Sequence, residues 1–171
     1  MQAYLRGFVA LGVFSLAAAC TPAPLPAAKA AGIEQAQCDA TSTAQEGLVR
    51  STKVLAVEPI YSRIITTGSS DQRVDGVKLV VRPPPGVNAD QMTRILQCHS
   101  ARALLGQIDR ESVRNDPYWL PDRWVNIEVR PENGNFAVTL SADSVRDNLR
   151  VLSQANGFAS DHALATEPEL P

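Results

Sequence analysis

The chain contains few of the residue types on which familiar catalytic and metal sites depend. Its 171 residues include only two histidines and three cysteines, and no Cys-x-x-Cys pair is present. It also lacks a Gly-x-Ser-x-Gly motif, a phosphate-binding loop and a dinucleotide fingerprint. Two histidines without a cluster of acidic ligands do not predict a metal site or a cofactor. We therefore expect no catalytic residue and a protein that is not an enzyme.

Positive charge is also scarce. The sequence has 16 Lys and Arg residues against 18 Asp and Glu residues, a net charge of −2, and only three of the basic residues are lysines. This balance gives no electrostatic reason to expect binding to nucleic acid or to an anionic membrane surface.

The N-terminus has the parts of a removable export signal. Arg6 is the only charge before an apolar stretch from Gly7 to Leu16, which is too short to span a bilayer. Three alanines, Ala17 to Ala19, then precede Cys20. A short charged segment, a short apolar segment and small residues at the end are typical of a secretory signal peptide. We predict that residues 1–19 are removed.

The end of this signal resembles the lipobox of bacterial lipoproteins, which are cleaved before a cysteine that carries diacylglycerol. One departure is Ala17, which stands where that family usually has leucine. The resemblance implies that Cys20 is lipidated and attaches the protein to a membrane. In that family an Asp after the cysteine retains the product at the inner membrane. Because residue 21 is Thr, the resemblance implies an outer-membrane, periplasm-facing lipoprotein.

An ordinary Ala-x-Ala signal next to an unrelated cysteine is the alternative, and it would give a soluble periplasmic or secreted protein. In either case about 150 residues follow the signal, which is enough for one ordinary domain. Loss of Arg6 with the signal leaves 15 basic against 18 acidic residues, a net charge of −3.

Lipidation of Cys20 leaves two cysteines, Cys38 and Cys98. Outside the inner membrane the bacterial envelope is oxidising, so these two residues are expected to form a disulfide. The alternative is a pair of free thiols that bind metal or undergo redox chemistry.

The composition divides the exported chain into three parts. Residues 20–37 begin with alternating prolines and continue with an Ala-rich stretch, a pattern that predicts an extended tether between the membrane and the domain. Residues 159–171 are polar, acidic and proline-containing, which predicts a disordered tail. The folded domain is therefore expected over residues 38–158.

Hydrophobic periodicity predicts six elements within this domain. The predicted strands are 53–61, with Pro59 favouring an edge position, and 77–81, 125–130 and 136–140. Residues 68–75 are predicted to form a polar turn region. One helix is expected to start at Asn88 with a capping box and to end before Gly106, and a second to run from about residue 143 to Gly157. The inward residues of these helices are predicted to be Met92, Ile95, Leu96, His99 and Ala103, and Val145, Leu149, Leu152 and Ala155.

The resulting order, ββαββα, predicts an α+β domain with a small antiparallel sheet and two helices on one face. It matches most of the ferredoxin-like plan if the last strand of that plan is moved to the front. We therefore expect a circularly permuted ferredoxin-like arrangement.

Cys98 and His99 are adjacent residues of types that bind metals. Neighbours on a helix point about 100° apart, so one ion does not easily reach both side chains. We interpret His99 as a buried, hydrogen-bonded residue beside a disulfide cysteine. A metal- or redox-responsive site using Cys38, Cys98 and His99 is the alternative. A hydrolase is a third hypothesis, and it predicts a pocket lined by His99 and acidic loop residues.

Aromatic residues are few, and three of the nine lie close together: Tyr118, Trp119 and Trp124. They fall in a long predicted loop, and aromatic rings near arginines are common in contact surfaces. These three residues are our candidate partner surface. The alternative is that the rings cover the sheet or one end of the core.

The central stretch also resembles uncharacterised secreted or lipoprotein sequences from proteobacteria, over about 65 residues. The resemblance lies in residues 77–86, in Cys98-His99 with Ala101 and Leu105-Gly106, and in residues 135–141. That group implies no activity. The function expected from the sequence is binding of an envelope protein partner by a membrane-anchored domain.

Overall fold

The computed structural model describes residues 25–38, 42–66, 69–109 and 111–164. The lipobox-like segment lies outside these residues. The elements in chain order are α1 Pro26–Gln37, α2 Ser42–Ser51, β1 Val54–Thr66, β2 Ser69–Val81, α3 Ala89–Leu104, a 3-10 turn Glu111–Val113, β3 Asn126–Glu132, β4 Asn135–Ser141 and α4 Val145–Leu164. None of the helices in the described ranges is long and apolar enough to cross a membrane.

The four strands form one antiparallel sheet in the order β1-β2-β4-β3. Strands β2 and β3 both pair with β4, so they run parallel to one another and are joined by the crossover through α3. This confirms the predicted α+β class and the ββαββα order from β1 onwards. The strand order is that of a ferredoxin-like sheet whose last strand has been moved to the front.

The core lies between one face of this sheet and helices α3 and α4. Alternate residues of the strands point towards the helices because successive side chains of a strand face opposite ways. The buried apolar residues include Val77, Leu79, Val81, Ile127, Val129, Phe136, Val138 and Leu140 from the sheet, and Met92, Leu96, Val151, Ala155 and Phe158 from the helices. Helices α1 and α2 pack on α3, which places them on the outside of this layer.

Several local predictions are confirmed because they depend on hydrogen bonds between near neighbours. Asn88 and Gln91 form a complete capping box at the start of α3. Gly106 has a φ of +72° just after that helix. Asn133 and Gly134 both have positive φ, 51° and 78°, as the tight turn between β3 and β4 requires.

The predicted extended tether is wrong from Pro26 onwards. Residues Pro26–Gln37 form α1, and Ala30 in its middle is fully buried. Alanine has the highest helix propensity, and proline is well tolerated at the first position of a helix. The part of the predicted tether before Leu25 lies outside the described residues, whereas the Ala-rich part belongs to the folded body.

The predicted polar turn over residues 68–75 is wrong from Ser69 to Asp75. These residues are the first part of β2, which pairs with β1 back to Thr66↔Ser69. Before Val77, strand β2 has no partner other than β1 among the described residues. The sequence of this part of β2, SSDQRVD, lacks the alternating apolar pattern that predicts a strand.

The second predicted helix has a different end and a different buried face. Helix α4 continues past Gly157 to Leu164, so the first part of the predicted tail is helical. A Cβ at Gly157 would lie 3.3 Å from Cγ of Asn115. The glycine is therefore tolerated inside α4 because its missing side chain lets Asn115, from the loop before β3, approach the helix closely. Val145 and Leu149 are exposed by 38% and 50%, and the buried face is formed by Asn148, Val151, Ala155 and Phe158.

Candidate functional site

A buried ion cluster centred on His99 lies in the interior of the described part of the chain. This residue is on the buried face of α3 and is only 4% exposed. Its Nδ1 lies 2.6 Å from Oε2 of Glu46 on α2. Its Nε2 contacts Oδ2 of Asp116, in the loop before β3. One imidazole therefore joins a helix of the sandwich, an outer helix and a long loop.

The two carboxylates decide the charge of this histidine. Burial by itself lowers the pKa of His99, but the hydrogen bonds and negative charges of Asp116 and Glu46 outweigh it and raise the pKa to about 9. The ring is therefore an imidazolium at neutral pH, and both of its N–H groups donate to carboxylates. Oδ1 of Asp116 also accepts the backbone N–H of Tyr118 at 2.8 Å, which fixes the carboxylate.

A cleft of about 330 Å³ opens beside this cluster. His99 and Asp116 form part of its wall. The other lining residues come from α2, from residues 111–115 and from α4, and they are Val49, Arg50, Glu111, Ser112, Arg114, Asn115, Phe158 and Asp161. A pocket lined by His99 and acidic loop residues is what the hydrolase hypothesis predicted.

The geometry limits what His99 can do in that cleft. A general base or a metal ligand needs a ring nitrogen with a free lone pair. Both nitrogens of His99 are engaged by carboxylates, so the charged ring acts as a clamp between elements. Within the described ranges, no three His, Cys, Asp or Glu side chains are arranged to hold a metal ion.

The two cysteines named from the sequence are bonded to each other. The Cys38–Cys98 disulfide joins the end of α1 to the middle of α3, with 5.6 Å between the Cα atoms. The thiols that the metal or redox alternative requires are therefore used in this bond. His99 is a buried, hydrogen-bonded residue beside a disulfide cysteine, as expected.

The candidate partner surface of Tyr118, Trp119 and Trp124 is wrong for at least two of its members. Tyr118 is fully buried and Trp124 is 8% exposed, while Trp119 is partly buried. The Tyr118 ring packs edge-on against Phe158 and His99. Trp124 fills a small cluster with Ala30 and Ala101, and its face is covered by the Lys29 ammonium at 4.7 Å. These rings close one end of the core, which was the alternative interpretation.

An exposed feature that the sequence did not reveal is the ribbon in which β1 and β2 leave the sheet. We call this ribbon, residues 61–66 with 69–74, the arm. Its strands pair from Tyr61↔Val74 to Thr66↔Ser69. Tyr61, at its base, is 55% exposed, and Arg63, Asp71, Gln72 and Arg73 are exposed as well. Pro59, which favoured an edge strand, is indeed in the edge strand β1.

Sequence reasoning found His99 and, in the hydrolase hypothesis, associated it with acidic loop residues, but it identified neither the pairing with Asp116 nor Glu46. Glu46 and Asp116 are 53 and 17 positions away, so no local pattern connects them with the histidine. The only available signal was Asp116-Pro117-Tyr118, because aspartate before proline favours a turn closed by its own side chain. That signal locates a turn and does not indicate an ion cluster.

The arm, the cleft and the ion cluster have to be interpreted from this chain alone, because no protein-family model, no curated protein and no solved structure matches it.

Proposed function

We propose that this protein is an exported lipoprotein, anchored through Cys20, whose domain binds a protein partner of the bacterial envelope through the arm. The arm is the observation that carries the proposal. An isolated two-stranded ribbon is at best marginally stable in water, so its retention on a folded domain is best explained by a partner that covers it.

The chemistry of the arm suits a protein partner. Tyr61 offers an exposed ring that is both apolar and able to form a hydrogen bond, a combination that is enriched in interfaces. The outer edge of β1 has no partner strand in the described part of the chain. Such an edge offers backbone N–H and C=O groups to an added strand.

Two further features support export to the envelope. The Cys38–Cys98 disulfide is of the kind that persists in an oxidising compartment. The segment that ends at Cys20 resembles a lipobox, and Thr21 favours the outer membrane over the inner one. The metal- or redox-responsive alternative has no comparable support, because it requires the same two thiols and the nitrogens of His99.

Site-specific photo-crosslinking in living cells tests the binding proposal. A photoreactive amino acid replaces Tyr61, and a control replaces Asp90, which is exposed at the start of α3. We expect a discrete protein adduct from position 61 and none from position 90. Adducts of equal yield from both positions, or from neither, would contradict binding through the arm.

Metabolic labelling with a fatty acid tests the anchor separately. Wild-type protein should incorporate the label and sediment with outer membranes, while Cys20→Ser should do neither. An unlabelled wild-type protein would support the soluble periplasmic alternative.

A further inference from the structure

A groove runs between the outer edge of β1 and helix α4, and we call it the edge groove. Its volume is about 410 Å³. Its lining residues are Val54, Leu55, Ala56 and Val57 from the strand and Asn156, Ala159 and Ser160 from the helix. Because β1 is at the edge of the sheet, no strand of the described chain closes this side of the groove. The edge groove is therefore open to an extended segment from outside the domain.

Helix α4 runs antiparallel to β1 along the edge groove. It begins just after β4, whose Leu140 pairs with Val77, and Val77 also pairs with Pro59 of β1. The later turns of α4 line the groove beside residues 54–57, at the start of β1. The first turn of α4 is therefore level with Pro59.

The flank of α4 that faces the edge groove carries apolar side chains that the domain does not bury. Asn156 lines the groove, and the residues 4, 7 and 11 positions before it share its helix face. These residues are Leu152, which is partly buried, and Leu149 and Val145, which are exposed. Leu55, which lines the groove on the strand side, is exposed as well. Apolar side chains grouped beside an open strand edge indicate a surface that a partner covers.

Unpaired positive charge flanks the start of β1. The backbone oxygen of Lys53 accepts the N–H of Arg82 at 3.0 Å, so these two cations are neighbours across the strands. Both side chains are exposed, and neither forms an ion pair within the described ranges. Glu58, the acidic residue of β1, is already paired with Lys78 at 2.9 Å. An acidic side chain on an added strand complements this edge.

A second copy of this chain fits the edge groove poorly. Twofold pairing of two β1 edges is antiparallel, so it places two α4 helices side by side in opposite directions. The apolar first half of one flank, with Val145 and Leu149, then faces the polar second half of the other, with Asn156 and Ser160. Pairing centred nearer the start of α4 meets Pro59, which has no N–H to donate. The groove therefore favours a segment of a different protein.

We propose that the edge groove binds an extended segment of the partner protein, which adds to β1 as a strand with apolar side chains towards α4 and an acidic side chain beside Lys53. Val54 packs against the core, so Lys53, the residue before it, is on the sheet face away from α4. Successive side chains of the added strand therefore meet the helix and the cation in turn. This mode of binding rests on the proposed function and specifies which part of the partner is bound.

Two model peptides test this chemistry on the purified protein. The fluorescein-labelled peptides Val-Glu-Val-Glu-Val-Glu-Val and Val-Lys-Val-Lys-Val-Lys-Val differ only in charge, and fluorescence anisotropy measures their affinities. We expect the acidic peptide to bind about tenfold more tightly, against the net charge of −2 of the chain. Lys53→Glu should remove this preference, whereas Arg94→Glu, at an exposed cation of α3, should keep it. Equal affinities, or no binding of either peptide, would overturn the proposal.

Two exposed leucines provide a matched pair of variants. Leu149→Glu places a negative charge on the apolar flank and should weaken binding of the acidic peptide about tenfold. Leu25→Glu makes the same change at an exposed residue that is not part of the groove, and the affinity should stay within about twofold. Equal effects of the two substitutions would contradict binding in the edge groove.

Deletion of residues 165–171 tests whether this chain supplies its own occupant. We expect the affinity for the acidic peptide to change by less than about twofold, because the groove is reserved for a partner. A gain of about tenfold would show that the end of the chain competes for the groove, and it would overturn a partner segment as the occupant.

Crosslinking in cells separates failure of this binding mode from failure of the proposed function. A photoreactive amino acid at position 149 should give the same adduct as position 61, and mass spectrometry should place the crosslink in a segment with apolar and acidic residues. A basic segment, or a second copy of this chain, would overturn the proposal. An adduct from position 61 without one from position 149 would do so as well and leave the binding function intact. Absence of both adducts would instead contradict the binding function.

Discussion

At the scale of single residues, the imidazolium of His99 lies between the carboxylates of Glu46 and Asp116 and is almost completely enclosed. A buried charge of this kind is tolerated only when its partners are present and well placed. The cluster therefore makes the association of α2, α3 and the loop before β3 depend on pH and on each of the three side chains.

The raised pKa of His99 predicts a loss of stability in mild alkali. The folded-state pKa is about 9 and the usual value is 6.5, so the unfolded chain releases this proton first. The contribution is complete below pH 6.5 and is lost as the pH rises through about 9, and it amounts to about 3 kcal/mol. Urea unfolding between pH 6 and pH 10 measures the slope. In His99→Gln the slope over this range should flatten, and an unchanged slope would contradict the assignment.

Removing one carboxylate charge from the cluster should lower the free energy of unfolding substantially. Asp116→Asn leaves the imidazolium with one anionic partner in a buried site, and we expect a loss of about 3 kcal/mol in the free energy of unfolding. Glu128→Gln is the control, because the Glu128–Arg130 pair at 2.7 Å is largely exposed. Its loss should stay below about 1 kcal/mol. Similar losses in the two variants would show that burial does not strengthen the cluster.

Two glycines should respond in opposite ways to the same substitution. A Cβ at Gly76, near the base of the arm, would lie 2.6 Å from the backbone oxygen of Leu140, so Gly76→Ala forces strands apart and should cost about 1–3 kcal/mol. Gly47, in α2, has nothing within 4 Å of that position. Gly47→Ala should stabilise the protein by about 0.5–1 kcal/mol because it favours helix. Denaturant unfolding of both variants checks the contrast, and destabilisation by Gly47→Ala would contradict it.

At the scale of elements, helix α1 is held on the domain by contacts with distant residues, although its own sequence gives little indication that it is helical and packed. Its alanines allow close approach to α3, and the disulfide and the Glu34–Arg102 ion pair hold it there. Composition suggested a tether because an Ala- and Pro-rich stretch has no apolar stripe. What decides the outcome is the surface that α1 meets, where Ala101 of α3 and Trp124 of the segment before β3 pack with Ala30.

The disulfide should stabilise α1 more visibly than the sheet. It closes a separation of 60 residues, so Cys38→Ser with Cys98→Ser should lower the free energy of unfolding by about 4 kcal/mol. Hydrogen exchange should show faster exchange in Pro26–Gln37 at conditions where β2 and β4 are still protected. Reductant should have this effect on the wild type and none on the double variant. Unchanged exchange in α1 would contradict a clamping role.

The ends of helices and strands were predicted correctly where they depend on interactions between near neighbours in the chain. The ends of α3 and the β3–β4 turn follow from backbone hydrogen bonds and positive φ, which act over three or four residues. The end of α4 does not follow from such local effects. Gly157, at which the helix was predicted to end, lies inside α4 because its missing side chain leaves room for Asn115, 42 positions earlier in the chain. The arm was missed because its two strands, YSRIIT and SSDQRV, do not alternate apolar and polar residues.

At the scale of the whole molecule, the arm is separate from the core. Among the arm residues whose side chains the structure describes, none of residues 61–63 and 71–73 belongs to the apolar core. Replacing residues 62–73 by an Asn-Gly turn that joins Tyr61 to Val74 should therefore change the free energy of unfolding by less than about 1 kcal/mol. Circular dichroism and urea unfolding measure this effect. Global unfolding of the shortened protein would contradict the separation of arm and core.

By itself the sequence determined the α+β class, the strands and the capped helix of the sandwich, and the expectation that Cys38 pairs with Cys98. These depend on periodicity, local hydrogen bonds and residue counts, all of which can be read along the chain. Only the tertiary structure decided that α1 belongs to the body, that Tyr118 and Trp124 are core residues, and that His99 is held between Glu46 and Asp116. Those outcomes depend on contacts between residues far apart in the chain, where packing and buried charge outweigh local preference.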